Sequence, residues 1–205
     1  MHPDPSFRLK GSDADQRATM EALIAEIGFG MVFAQTPDGP RVAQSALYLT
    51  GDCAVQFHLA NGNALTRYLS GREALIVVNG PDGYISPDWY AGPDQVGTWN
   101  YISVEIEGPV RAMDREGLVG LLDDLSAVNE ARLAPKTPWT RDKMDAGKFN
   151  RMLGVITGFE MEIRAWRPTF KLSQNKPEAD RLRAADALEK SGRRALAHLM
   201  REWGS

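Results

Sequence analysis

Between residues 31 and 79 lie four short runs of branched and aromatic residues, the first three separated by little but turn residues. The runs are Met31–Gln35, Val42–Leu49, Ala54–Leu59 and Ala74–Asn79, with Pro37-Asp-Gly-Pro40 and Gly51-Asp52 between the first three. Strands this closely joined pair most simply as antiparallel neighbours, because a parallel crossover needs a dozen or more residues and usually a helix. The pattern predicts a meander and favours a small antiparallel barrel over a doubly wound parallel sheet.

The rest of the chain supplies further strands and a few helices. Ser12-Asp-Ala-Asp15 reads as a capping box opening a helix whose apolar positions Met20, Leu23, Ile24 and Ile27 recur until Gly28. Asn61-Gly-Asn63 and Gly71 bracket a short helical turn at 64–69. Asn100–Glu107 alternates Ile102, Val104 and Ile106 with polar residues, as a half-buried strand does, before Gly108-Pro109 interrupts it and Val110–Met113 resumes. Asp114 caps a predicted helix with Leu118, Leu121, Leu122, Leu125 and Val128 on one face, and a weaker helix follows around Arg141–Leu153. Val155–Trp166 is another half-exposed strand, and the chain reads as helical from Pro177 to Trp203. The sum is a mainly β chain with helices (α+β), of six or seven strands.

Length and charge bound the alternatives. At 205 residues the chain can bury one real core, which predicts a main domain over residues 1–175 and a C-terminal helical extension over 176–205. Cys53 is the only cysteine and there are three histidines, so neither an internal disulfide nor a metal centre is expected. The start HPDPSFRLKG lacks the form of a secretory signal, and no run approaches the roughly 18 apolar residues that span a bilayer, so no membrane is expected and the cytoplasm is the default location. The formal net charge is -3, and only the segment from Lys171 on leans basic, which makes DNA a weakly supported partner.

Three loci combine polar donors with aromatic rings. Tyr84–Tyr101 holds Tyr84, Trp89, Tyr90, Trp99 and Tyr101 among turn residues, and such rings line a flavin or nucleobase site, seal a subunit interface, or pack a loop on its own barrel. His58-Leu-Ala-Asn-Gly-Asn63 ends a strand and reads either as an anion cradle or as a helix cap that binds nothing. In Trp166–Lys176, Lys171, Ser173, Gln174 and Asn175 suit a phosphate or a ring edge, or equally a cap for the terminal helix. There is no Gly-x-Gly-x-x-Gly after a strand, no phosphate-binding loop ending in Gly-Lys-Ser/Thr, no Gly-x-Ser-x-Gly and no His-Glu-x-x-His.

Four blocks, GPDGYISPDWY (80–90), TWNY (98–101), GFEMEI (158–163) and KLSQNKP (171–177), stand in an order and spacing similar to those of the PaiB family. These FMN-binding negative transcriptional regulators look like relatives of the split-barrel flavin-binding proteins. The resemblance covers roughly residues 1–185 and implies an antiparallel split barrel, a homodimer, and FMN in a groove at the subunit interface. The cofactor-binding residues it implies are His58, Ala60, Asn61 and Asn63, then Trp89, Tyr90, Thr98, Trp99 and Asn100, and finally Lys171, Ser173, Gln174 and Asn175. No catalytic residue is assigned; His58 and Tyr90 are the first to test for acid-base work. The chain departs from the family pattern at Ser45-Ala-Leu47, where a His-x-Pro triplet is usual, at Gly97, where Pro is usual, at Met1-His2 and at Asn63-Ala64. The alternatives are an FMN-dependent oxidoreductase acting on a small substrate and a dimer that has lost flavin binding.

Overall fold

The meander is present. In a computed structural model that describes residues 2–203, β1 (Phe29–Thr36), β2 (Gly39–Leu49) and β3 (Ala54–Ala60) are successive antiparallel strands. They are followed by the one-turn helix α2 (Thr66–Leu69) and by β4 (Arg72–Ile85) and β5 (Thr98–Ala112). Ahead of them lies α1 (Asp13–Ile27), and behind them come α3 (Arg115–Ala131), α4 (Ala146–Leu153), β6 (Ile156–Glu162), β7 (Ala165–Lys171), α5 (Glu178–Lys190) and α6 (Arg194–Glu202). Met1, of the Met1-His2 departure, lies outside the described residues, as do residues 204 and 205.

The seven strands run in the order β4-β1-β2-β3-β6-β5-β7, and an additional pairing of β4 with β5 closes six of them into a ring. This is the α+β split barrel expected from the sequence. Full closure removes the exposed edges that a six-stranded open sheet would present.

Local signals explain most element ends. Ser12 and Asp15 form the reciprocal capping box, Asp15 N donating to Ser12 Oγ at 3.2 Å and Ser12 N to Asp15 Oδ2 at 3.1 Å. Asp114 and Asp145 cap α3 and α4 by accepting from Gly117 N at 2.8 Å and Lys148 N at 2.7 Å. Four expectations change, the first being that Val155–Trp166 is not one strand: β6 ends at Glu162 and β7 begins at Ala165. Gly108-Pro109 does not interrupt β5, because a side chain on Gly108 would strike the Glu162 carbonyl; the glycine lets that backbone come close and the strand continue. The predicted helix around Arg141–Leu153 splits into a short 3-10 turn at Arg141–Lys143 and α4. The terminal helix is two helices, because Gly192 takes φ +89 and ends the first at a left-handed residue.

The chain divides into two compact units. The first takes Met1–Leu23, Asn79–Val104 and Arg167–Ser205. Its core holds Ile85, Ile102, Val104, Phe170, Leu172, Leu188 and Leu196. The second takes Ile24–Val78 and Glu105–Trp166. Its core includes Val32, Phe57, Ile76, Ile106, Phe159 and Met161, with Phe57 directly opposite Phe159 across β3 and β6 and the two rings stacked at 5.6 Å. No helix among the described residues is long and apolar enough to cross a membrane.

Candidate functional site

The sequence-predicted site residues fall into two groups, one in each unit. In the first unit, the start of β5, the end of β7 and the turn after it bring together residues 73 positions apart. Asn100, wholly buried, donates through Nδ2 to Ser173 Oγ at 2.9 Å, and the Tyr90 hydroxyl lies 3.2 Å from the same oxygen. Ser173 sits at φ +63, a left-handed conformation unusual for a residue with a side chain. Gln174 fixes that conformation by accepting from Leu172 N at 2.7 Å and donating to Phe170 O. Its amide is therefore spent on its own turn.

Beside this knot Lys171 Nζ donates to Thr98 Oγ1 at 2.7 Å and lies 5.7 Å from the Phe7 ring centroid. Burial pushes the Lys171 ammonium below its ordinary pKa. Lys176 Nζ bonds Gln95 Oε1 at 2.8 Å and stands 5.1 Å from the Tyr90 ring centroid. Tyr90, Thr98, Asn100, Lys171, Ser173 and Lys176 line a cleft of about 240 Å³, with His2, Asp4, Phe7 and the exposed Asn175 also on its walls. His2, Asp4, Phe7 and Lys176 were not among the residues expected from sequence. Only Lys176 had a local signal, its place inside KLSQNKP; the N-terminal residues arrive there because His2 N donates to Thr169 Oγ1 at 3.0 Å.

Of the expected residues in this unit, Gln174, Trp89 and Trp99 stand outside the cleft. On β5 Thr98 and Asn100 share one face, so the intervening Trp99 points to the other. There it is half exposed, donates through Nε1 to Asp82 Oδ1 at 3.1 Å and lies 5.8 Å from Tyr84. Trp89 closes the Pro87–Trp89 turn and is not a cleft wall.

In the second unit, Phe57 and Leu59 of β3 face the core and His58 faces the opposite side. Asn61 uses both ends of its amide, Nδ2 donating to Gly154 O at 3.0 Å and Oδ1 accepting from Thr157 Oγ1 at 2.7 Å. Asn63 Oδ1 accepts from Leu65 N at 2.9 Å, which is turn chemistry. Ala60 is exposed and offers no polar side chain. Ser45, at the site of the missing histidine, donates to His58 O at 2.8 Å and so ties β2 to β3. Burial lowers the His58 pKa from 6.5, which favours the neutral ring.

The residues of the first cleft suit FMN. A phosphate needs cations, supplied by Lys171 and Lys176; a flavin ring needs apolar and aromatic walls, supplied by Phe7 and Tyr90. A ring edge needs hydrogen-bonding groups, and Asn100 Oδ1 is buried with no partner. Among the described residues no His, Cys, Asp and Glu side chains group as a metal site.

Residues 1–165 match the family described as "Putative FMN-binding domain". The chain belongs to this family. The match supports FMN as the cofactor, and it ends before Lys171–Lys176, so that turn rests on the geometry above. The chain is similar to "Protease synthase and sporulation protein PAI 2" of Bacillus subtilis (strain 168), 29% identical over 159 residues, covering 76% of this chain and 72% of the relative. The PaiB resemblance read from the four blocks is thereby supported. Among solved structures, the FAD and heme binding protein from Mycobacterium smegmatis superimposes with a TM-score of 0.56 at 19% identity, covering 76% of this chain and 71% of that one. The flavocytochrome Anf3 from Azotobacter vinelandii gives 0.53 at 16% identity, covering 76% and 67%. At these identities the likeness establishes the split-barrel fold.

Proposed function

We propose that this member of the FMN-binding family is a cytoplasmic homodimer that holds FMN in the Tyr90–Asn100–Lys171–Ser173 cleft, with the second copy completing the site, and that it has the regulatory role of PaiB-type proteins. The observation that carries the reading is the wholly buried Asn100 with an unpartnered Oδ1 in a cleft that also holds two lysines. A buried acceptor left without a partner costs about 1–3 kcal/mol, and a ring N–H of a bound ligand would remove that cost.

Dimerisation is supported by size and surface. The cleft of about 240 Å³ is below the ~300–1,000 Å³ of ordinary cofactor sites, so a whole FMN needs a further wall. The same unit exposes Tyr84, Val96 and Trp99, with Val96 at 78%, an apolar surface suited to a second copy. Within the cleft Lys171 and Lys176 would hold the phosphate, Tyr90 and Phe7 would flank the ring, and Asn100 would meet its edge. Bound FMN supplies electron or hydride transfer. That chemistry would serve a redox-sensing regulator or an oxidoreductase; the Tyr90 hydroxyl next to Ser173 Oγ favours the second reading as a proton carrier.

The visible spectrum of the purified protein, before and after FMN is added and gel filtration run with mass measurement, tests the reading. A yellow dimer that retains FMN is expected. A colourless protein that releases FMN on the column would refute the cofactor assignment, and a monomer in the presence of FMN would refute the shared site. NAD(P)H-dependent turnover without promoter binding would favour the enzyme, and salt-dependent promoter binding would favour the regulator.

A further inference from the structure

The second unit contains a separate cavity of about 300 Å³ that the flavin reading does not use. Leu122 of α3, Trp139 of the α3–α4 connection, Phe149 and Met152 of α4, and Ile156 of β6 form apolar walls, and His58 of β3 enters from the strand side. At ~30 Å³ per water the space equals about ten waters, and so a ligand of about ten non-hydrogen atoms. Aromatic and methionine walls suit a flat ring.

Several of its polar groups already have partners. Ser126 Oγ donates to Leu122 O at 2.7 Å. Asp123 and Arg141 are paired at 3.0 Å, and Arg141 also lies 5.2 Å from the Phe149 ring centroid. His58 makes no hydrogen bond through Nδ1, which is buried, so Nε2 is the ring nitrogen left to meet a ligand. A buried N–H without an acceptor is rarer than a buried lone pair without a donor. The stable neutral ring therefore keeps its lone pair on Nδ1 and its proton on Nε2, which makes Nε2 a donor.

We propose that this cavity binds a small, neutral aromatic molecule carrying one oxygen acceptor, with His58 Nε2 as its hydrogen-bond donor. Neutrality follows from the walls, since a charged ligand would be desolvated among them and the nearby Arg141 already faces Asp123 at 3.0 Å.

Acetophenone, cumene and benzoate, matched in size, test the proposal by titration calorimetry on the full chain. Acetophenone is expected to bind saturably and about tenfold tighter than cumene, with benzoate weaker than both. His58→Phe should reduce acetophenone to the affinity of cumene and leave cumene unchanged, and Leu122→Trp, which fills the space, should abolish both. Failure of acetophenone to bind, benzoate binding tightest, or an acetophenone preference that survives His58→Phe overturns the proposal. Displacement of acetophenone by FMN also overturns it, by making the cavity part of the flavin site. Loss of FMN binding with acetophenone binding intact refutes the flavin reading alone.

Discussion

The Tyr84 hydroxyl occupies the space that a Cβ on residue 97 would need, so Gly97 and the Tyr84 ring depend on each other. This accounts for the glycine where the PaiB pattern has Pro. Any side chain at 97 would come within 3.0 Å of the Tyr84 ring and push it aside. Because Tyr84 is half exposed, the ring can turn outward, and the loss falls on its contact with Trp99. Gly97→Ala is expected to cost about 1 kcal/mol in urea unfolding and to change tryptophan fluorescence. In a Tyr84→Ser background the same substitution should cost nearly nothing; equal costs in both backgrounds would show that the ring is not the obstacle.

Trp99 and Lys171 should separate self-association from FMN binding. Lys171→Ala removes a cleft cation and is expected to weaken FMN at least about tenfold in a fluorescence titration, without changing the subunit equilibrium. Trp99→Ala, on the opposite face of β5, should weaken self-association in sedimentation and affect FMN only as far as the dimer dissociates. Full FMN affinity in Lys171→Ala would remove that lysine from the site.

Ser173 combines backbone strain with two side-chain partners, and substitutions can separate these effects. Ser173→Ala keeps the φ of +63 and loses the Oγ shared by Asn100 and Tyr90, an expected cost of about 2–3 kcal/mol. Ser173→Gly loses the same oxygen and relieves the left-handed strain, so it should be more stable than the alanine variant by about 1 kcal/mol. Thermal denaturation that ranks alanine above glycine would contradict this account.

His58 predicts a dependence of stability on pH. Burial lowers its folded pKa below the 6.5 of the exposed ring, so between those values the unfolded chain binds more protons. The stability held by the neutral ring is complete above about pH 6.5 and is lost as the pH falls through the lower folded value. Asp123 and Arg141 also line the cavity and are paired with each other, and His58 is its one histidine. His58→Phe should flatten the stability profile below pH 6.5; an unchanged slope would locate the titration elsewhere.

Much of the fold was legible because its causes are local. The capping box at Ser12–Asp15, the aspartate before α3, and the alternation of Ile102, Val104 and Ile106 each act within a few residues, where spacing alone sets geometry. The family blocks drew attention to segments that the fold brings together in one cleft. They could not separate Thr98 and Asn100 from Trp99, although a strand's period of two divides them.

The remaining choices belonged to the tertiary structure. Gln174 and Asn61 look like ligand donors in sequence, yet both ends of each amide bond protein backbone or a neighbouring hydroxyl, and Asn63 uses its amide oxygen on Leu65 N. Gly108 looks like a break and instead admits the Glu162 carbonyl. Asn100 meets Ser173 only because β5 and β7 are neighbours in the sheet. The sequence determined where strands, caps and turns form, since those depend on chemistry between near neighbours. Which polar atoms remain available to a ligand was decided by strand pairing, because a hydrogen bond used across the fold cannot be offered to anything else.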